Sequence, residues 1–200
     1  MKRVGLILSV IFCGGLLMFV PAKHYQRAIA DKILRFHVIA NSNSAQDQAL
    51  KLKVRDCVIE YLSEPLKTCE TKEESETVID SLLPQIREKA SELVRHMGYD
   101  YTIEADVGEE YFPVKTYGEM TFPRGYYEAL TIRIGSGAGR NWWCVLFPNL
   151  CFTDAVTAQM PEESEQLLSE QLDAQAYGSL YEGERLQLRF KLAEWLRELF

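Results

Sequence analysis

The chain has 200 residues, enough for one domain or at most two small ones. Hydrophobic residues make up 47% and charged residues 26%, a globular balance that excludes intrinsic disorder, collagen-like repeats and a multi-span membrane protein. A net charge of −7 leaves no basic footprint for a phosphate backbone, which speaks against nucleic acid as a partner.

Met1-Lys2-Arg3 precedes Val4 to Val20, a run without charge. As a helix this run spans about 25 Å, a little short of the ~30 Å hydrocarbon core of a bilayer. Lys2 and Arg3 hold the start on the cytoplasmic side, so the remainder is expected to be exported. Val20-Pro21-Ala22 has the small-residue spacing of a cleavage site. Residues 1–22 therefore read equally as a cleaved signal peptide or as a retained membrane anchor.

Lys32 to Ala40 is apolar and β-branched enough for a strand, with Ile33, His37 and Ile39 on one face. Asn41-Ser42-Asn43-Ser44 breaks it, and Ser44 followed by Asp47 predicts a helix N-cap. The helix from Ala45 to about Ser63 places Leu50, Val54, Cys57, Val58 and Tyr61 inward, with Asp47, Lys51 and Arg55 as a solvated outer stripe. Pro65 to Thr71 is a connection. Lys72 to Met97 is helical again, with Ile79, Leu82, Ile86, Leu93, Val94 and Met97 inward, and Gly98 ends it. Pro84 predicts a kink or a fresh helix start.

Tyr101 to Val107 alternates as a half-buried strand, Gly118 to Arg124 carries turn signals, and Tyr126 to Ile134 is a further strand. Gly135-Ser136-Gly137-Ala138-Gly139 leads into Asn141 to Phe147, the most β-prone segment. This order predicts an α+β fold over residues 30–154: an antiparallel sheet with helices packed on one face, preceded by the N-terminal signal or anchor helix. Residues 155–183 read as a poorly ordered acidic linker. Residues 184–200 regain helical spacing in Leu188, Leu192, Trp195, Leu196 and Leu199, as a C-terminal amphipathic helix.

Little catalytic chemistry is offered. Glycines 135, 137 and 139 open a strand, not a helix, so they suit a hairpin connection better than a phosphate loop. His24, His37 and His96 share no zinc spacing, and the adjacent pairs Glu109-Glu110 and Glu162-Glu163 read as solvated charge. No catalytic residue, cofactor or metal is assigned, and a non-enzyme is expected. Cys144 and Cys151 flank Pro148, either as a disulfide stapling a short hairpin or as two small buried hydrophobes. Trp142 and Trp143 point to opposite faces, so one is expected in the core and the other nearer the surface as a contact hot spot, unless both are covered by the helices and tail.

Residues 33–62 (ILRFHVIANSNSAQDQALKLKVRDCVIEYL), 112–118 (FPVKTYG) and 134–152 (IGSGAGRNWWCVLFPNLCF), with a weaker echo at 189–196, resemble the stage II sporulation protein R family of endospore-forming bacteria. The similarity spans roughly residues 30 to 154. The family more often has aspartate at Asn43 and alanine at Cys57 and Arg124, positions without an assigned chemical role. The resemblance implies a signal made in the forespore and exported into the space between forespore and mother-cell membranes. There it activates a membrane-embedded aspartic-type peptidase that cuts the pro-sequence from the sigma-E precursor. Partner-binding residues are expected at Asn41, Ser42, Asp47 and Lys51, and at Gly137, Gly139, Asn141, Trp142 and Trp143. The rival classes are an exported hydrolase with a hidden cysteine or carboxylate site, and a membrane-anchored structural protein.

Overall fold

A computed structural model describes residues 25–148, residue 151 and residues 162–181. The signal or anchor segment 1–22 and the C-terminal helix 184–200 lie outside the described residues. The order is α1 (residues 25–30), β1 (Leu34–Ile39), α2 (Ala45–Leu66), α3 (Lys72–His96), β2 (Ile103–Phe112), β3 (Lys115–Tyr117), β4 (Met120–Phe122), β5 (Gly125–Ile134), β6 (Asn141–Phe147), α4 (Glu162–Gln171) and α5 (Ala174–Tyr181). The fold is α+β, as the segment order implied.

The main sheet runs β2-β5-β1-β6, and it is mixed rather than antiparallel. β1 pairs in parallel with β5 and antiparallel with β6, while β2 and β5 are antiparallel. The reason is the length of the excursion: β1 leaves through two long helices, and parallel neighbours need such a crossover whereas hairpins cannot supply one. β1 is thus central, and all six of its residues are buried. Both of its faces are covered, which explains why its sequence is apolar at consecutive positions. Leu34, Phe36 and Val38 lie on one face and Arg35, His37 and Ile39 on the other.

Ser44 caps α2, its hydroxyl accepting from the Asp47 amide at 3.1 Å. Leu50, Val54, Val58, Leu62 and Leu66 form the inner face of α2, whereas Cys57 and Tyr61 are only half-buried. Thr71 caps α3, which runs unbroken through Pro84. The proline sits on the exposed side, where water can take the carbonyl that its missing N–H leaves free. Gly98, at φ +84°, ends α3 with the Tyr99 amide donating back to Val94 O. Ile79, Ile86 and Val94 are buried as expected; Leu82 and Leu93 are half-buried and Met97 is exposed.

Residues 118–124, expected to carry a turn, supply β4, which pairs with β3 as a second, two-stranded sheet turning at Gly118 (φ +56°). Within 155–183, expected to be poorly ordered, residues 162–181 form α4 and α5. Leu168, Leu172, Ala176 and Leu180 are buried in the common core, and α5 packs on β4. Spaced by four residues, these few apolar side chains suffice to dock an otherwise acidic stretch.

Candidate functional site

The turn after β1, the first turns of α2 and the glycine loop between β5 and β6 meet at one end of the sheet. Parallel pairing of β1 with β5 ends both strands at the same edge, so the segments leaving them must run side by side. Asn41 is the hinge. Its side-chain oxygen accepts from the Ser136 amide (3.0 Å) and hydroxyl (3.1 Å), and its backbone oxygen accepts from the same hydroxyl (2.8 Å). The Ala138 amide also donates to Asn41 O (3.2 Å), and the Gly139 amide to Ala40 O (2.8 Å). Asn43 Oδ1 accepts from the Arg140 amide (2.9 Å).

Behind this seam lies a buried polar group. Asp47 is 4% exposed and accepts from Ser42 Oγ (2.5 Å) and Asn41 Nδ2 (2.9 Å). Ser42, then Asn41, Tyr101 and Ser44, hold its carboxyl below the usual carboxylate range against the opposing effect of burial. Lys51 is 5% exposed and donates to Gln48 Oε1 (2.8 Å) and Arg140 O (3.0 Å). Burial lowers the pKa of its ammonium group, with Arg140 and Arg55 adding to the effect. Asp47 and Lys51, expected on a solvated stripe, therefore turn inward. A carboxylate and an ammonium with several fixed partners tie the loop to the helix, which a helical-wheel reading has no means of showing.

Gly137 takes φ +61°, a conformation that suits glycine. At Gly139 the constraint is proximity: a Cβ would collide with the Ser42 carbonyl oxygen. What remains outward at the tip is Asn43, Ser136, Ala138, Arg140 and Asn141.

The two tryptophans are both half-buried, on opposite faces of β6, rather than one in the core and one outside. Trp142 meets Phe36 edge-on at 5.7 Å and lies under the Arg55 guanidinium at 5.0 Å. Trp143 stacks on His37 with centroids 3.7 Å apart and meets Phe112 at 4.6 Å. Each is clamped between elements, because β6 is an edge strand whose two faces receive different cover. The sheet also buries groups that sequence reading passed over. Arg35 is fully buried among the rings of Phe112, Tyr117, Phe122 and Tyr127. Their only signal was a charged residue inside a β-branched run.

Cys144 and Cys151 are free thiols, as are Cys57 and Cys69. Cys144 registers with Phe36 and His37 with Trp143, so the Cys144 thiol and the imidazole lie on opposite faces of the sheet. Burial holds the His37 pKa at about 4, which keeps it neutral. Among the described residues no group of three or more His, Cys, Asp or Glu is placed to hold a metal, and no helix is long and apolar enough to cross a membrane. The Ser42 hydroxyl gives its hydrogen to an ionised carboxylate and is thereby fixed rather than activated. The assembly orients a surface.

The family profile described as stage II sporulation protein R matches residues 30–157. A curated protein of Bacillus subtilis (strain 168), Stage II sporulation protein R, is 38% identical over 223 aligned positions, covering 100% of each chain. No solved structure matches.

Proposed function

The chain belongs to the stage II sporulation protein R family, and from that premise we propose that it is an exported signal that activates a membrane-embedded aspartic-type peptidase, which then processes the sigma-E precursor. Its place of action is the space between the forespore and mother-cell membranes, reached through the leader 1–22. The protein itself is a ligand and not a catalyst.

One observation carries this reading. Residues 41–51 and 135–141, distant in sequence, are locked into a single rigid tip whose polar groups are mostly spent on each other. A preorganised surface of this kind binds with little ordering cost. Binding to the peptidase's extracytoplasmic side would favour the active arrangement if affinity for that arrangement is higher. The opposite-face placement of Cys144 and His37 speaks against a cysteine hydrolase.

The test is reconstitution in non-sporulating cells that co-produce the peptidase and the sigma-E precursor. Precursor shortening should appear only when the full exported chain is present. Arg140→Glu should reduce it about tenfold, the effect of roughly 1.4 kcal/mol lost at a contact. This variant suits the purpose because Arg140 joins the tip through its backbone N–H and C=O, leaving its exposed side chain replaceable. A folded, exported wild-type chain that leaves the precursor uncut would overturn direct activation.

A further inference from the structure

We propose that Cys144 and Cys151 form a dithiol built to close into a disulfide, tying the chain that leaves β6 back onto that strand. The two thiols converge on a single acceptor: Cys151 Sγ lies 2.9 Å and Cys144 Sγ 3.7 Å from the Val145 carbonyl oxygen. Cys57 sits within α2, and Cys69 follows that helix with its thiol directed to Pro65 O at 3.8 Å. Among the described cysteines, these two convergent thiols are thus the pair that the fold brings together.

Accessibility sets the order of events. Cys144 is 4% exposed, whereas Cys151 is half-buried. Burial raises the Cys151 thiol pKa, so it is the minor thiolate fraction that attacks a small-molecule or protein disulfide, forms a mixed disulfide and releases one thiol. The Cys144 thiolate then attacks the Cys151 sulfur, forms the internal S–S bond and expels the second thiol. The two cysteines lose two protons and two electrons, and the disulfide donor is reduced to two thiols. Bridging in the cell rests on the proposed export, since disulfides persist in oxidising compartments. The pairing geometry does not.

The experiment equilibrates the reduced full chain, in mild detergent, with oxidised glutathione, then quenches with acid, alkylates and maps the peptides by mass. Cys144 and Cys151 should lose their alkylatable thiols together, with the mass of two hydrogens gone, while Cys57 and Cys69 still alkylate. In Cys151→Ser, Cys144 should stay alkylatable or carry a single glutathione. Wild-type protein that keeps both thiols, or carries a separate glutathione on each, would overturn the pairing. A bridge that forms in the purified protein but is missing from protein recovered from sporulating cells would leave the pairing standing and overturn the exported location.

Discussion

Asn41 and Ser136 are 95 positions apart, and three hydrogen bonds join them, two to the asparagine side chain and one to its backbone oxygen. This contact holds the end of β1 against the end of β5. It also connects outward to inward, because the same asparagine donates to buried Asp47. The shape of the tip therefore depends on one amide side chain.

Replacing that side chain should be costly. Asn41→Ala removes a donor from Asp47 and an acceptor from the Ser136 amide, so unfolding free energy is expected to fall by about 2 kcal/mol. Asn41→Asp should cost more at neutral pH, since it sets a second carboxylate against Asp47. Urea unfolding of both variants checks this, and midpoints equal to wild type would show that the seam does not stabilise the fold.

Two glycines should respond oppositely to alanine. A Cβ at Gly139 collides with the Ser42 carbonyl oxygen, which belongs to backbone and cannot swing aside, whereas a Cβ at Gly108 on β2 meets nothing within 4 Å. Gly139→Ala should lose about 1–3 kcal/mol and Gly108→Ala should be neutral or slightly stabilising. Thermal melts of the pair decide it; equal shifts would mean that the loop yields freely.

His37 should make the protein acid-sensitive. Burial lowers its folded pKa from the usual 6.5 to about 4. The unfolded chain therefore binds a proton that the folded chain refuses, so this contribution to stability is full above about pH 6.5 and lost as pH falls toward 4. The loss at pH 5 is about 2 kcal/mol. His37→Phe keeps a ring against Trp143 and should flatten this limb between pH 7 and 5. An unchanged slope in chemical denaturation would assign the sensitivity to other groups.

Arg35 presents a buried charge with rings but, among the described residues, no hydrogen-bond partner on any of its three nitrogens. The nearest ring, Phe112, has its centroid 4.5 Å from the guanidinium carbon. Cation–π contacts contribute about 0.5–2 kcal/mol each, against a desolvation cost of several kcal/mol for the ion. Arg35→Met, which keeps the volume and drops the charge, should leave the melting temperature unchanged or raised. Arg35→Ala should lower stability by about 2–4 kcal/mol through the cavity. Equal losses in both variants would mean that the guanidinium itself stabilises the core.

Much of this was legible locally. Ser44 as a cap, Gly98 as a stop and the strand character of 126–134 and 141–147 each depend on a few neighbouring residues, and each is found where local chemistry places it. The proposed partner residues also fall on two segments that do converge. What failed to show were features set at a distance. Pro84 was overruled by the packing of α3 on its other side, and β3 and β4 were too short for a period to declare itself. Leu168, Leu172, Ala176 and Leu180 were too sparse within an acidic stretch to stand out without the core that receives them.

The amino-acid order by itself determined the long helices α2 and α3 with their caps and stops, the principal strands, and the blocks that mark the family. Those are consequences of spacing, capping and backbone freedom, all short-range. The tertiary structure alone decided that β5 lies parallel to β1, and everything at the tip follows from that choice. Parallel pairing brings two distant turns to one edge. Their backbone amides and carbonyls then need partners away from water, and Asn41, Asp47 and Lys51 turn inward to supply them. A charge that reads as surface on a helical wheel becomes interior when a loop from elsewhere in the chain closes over it.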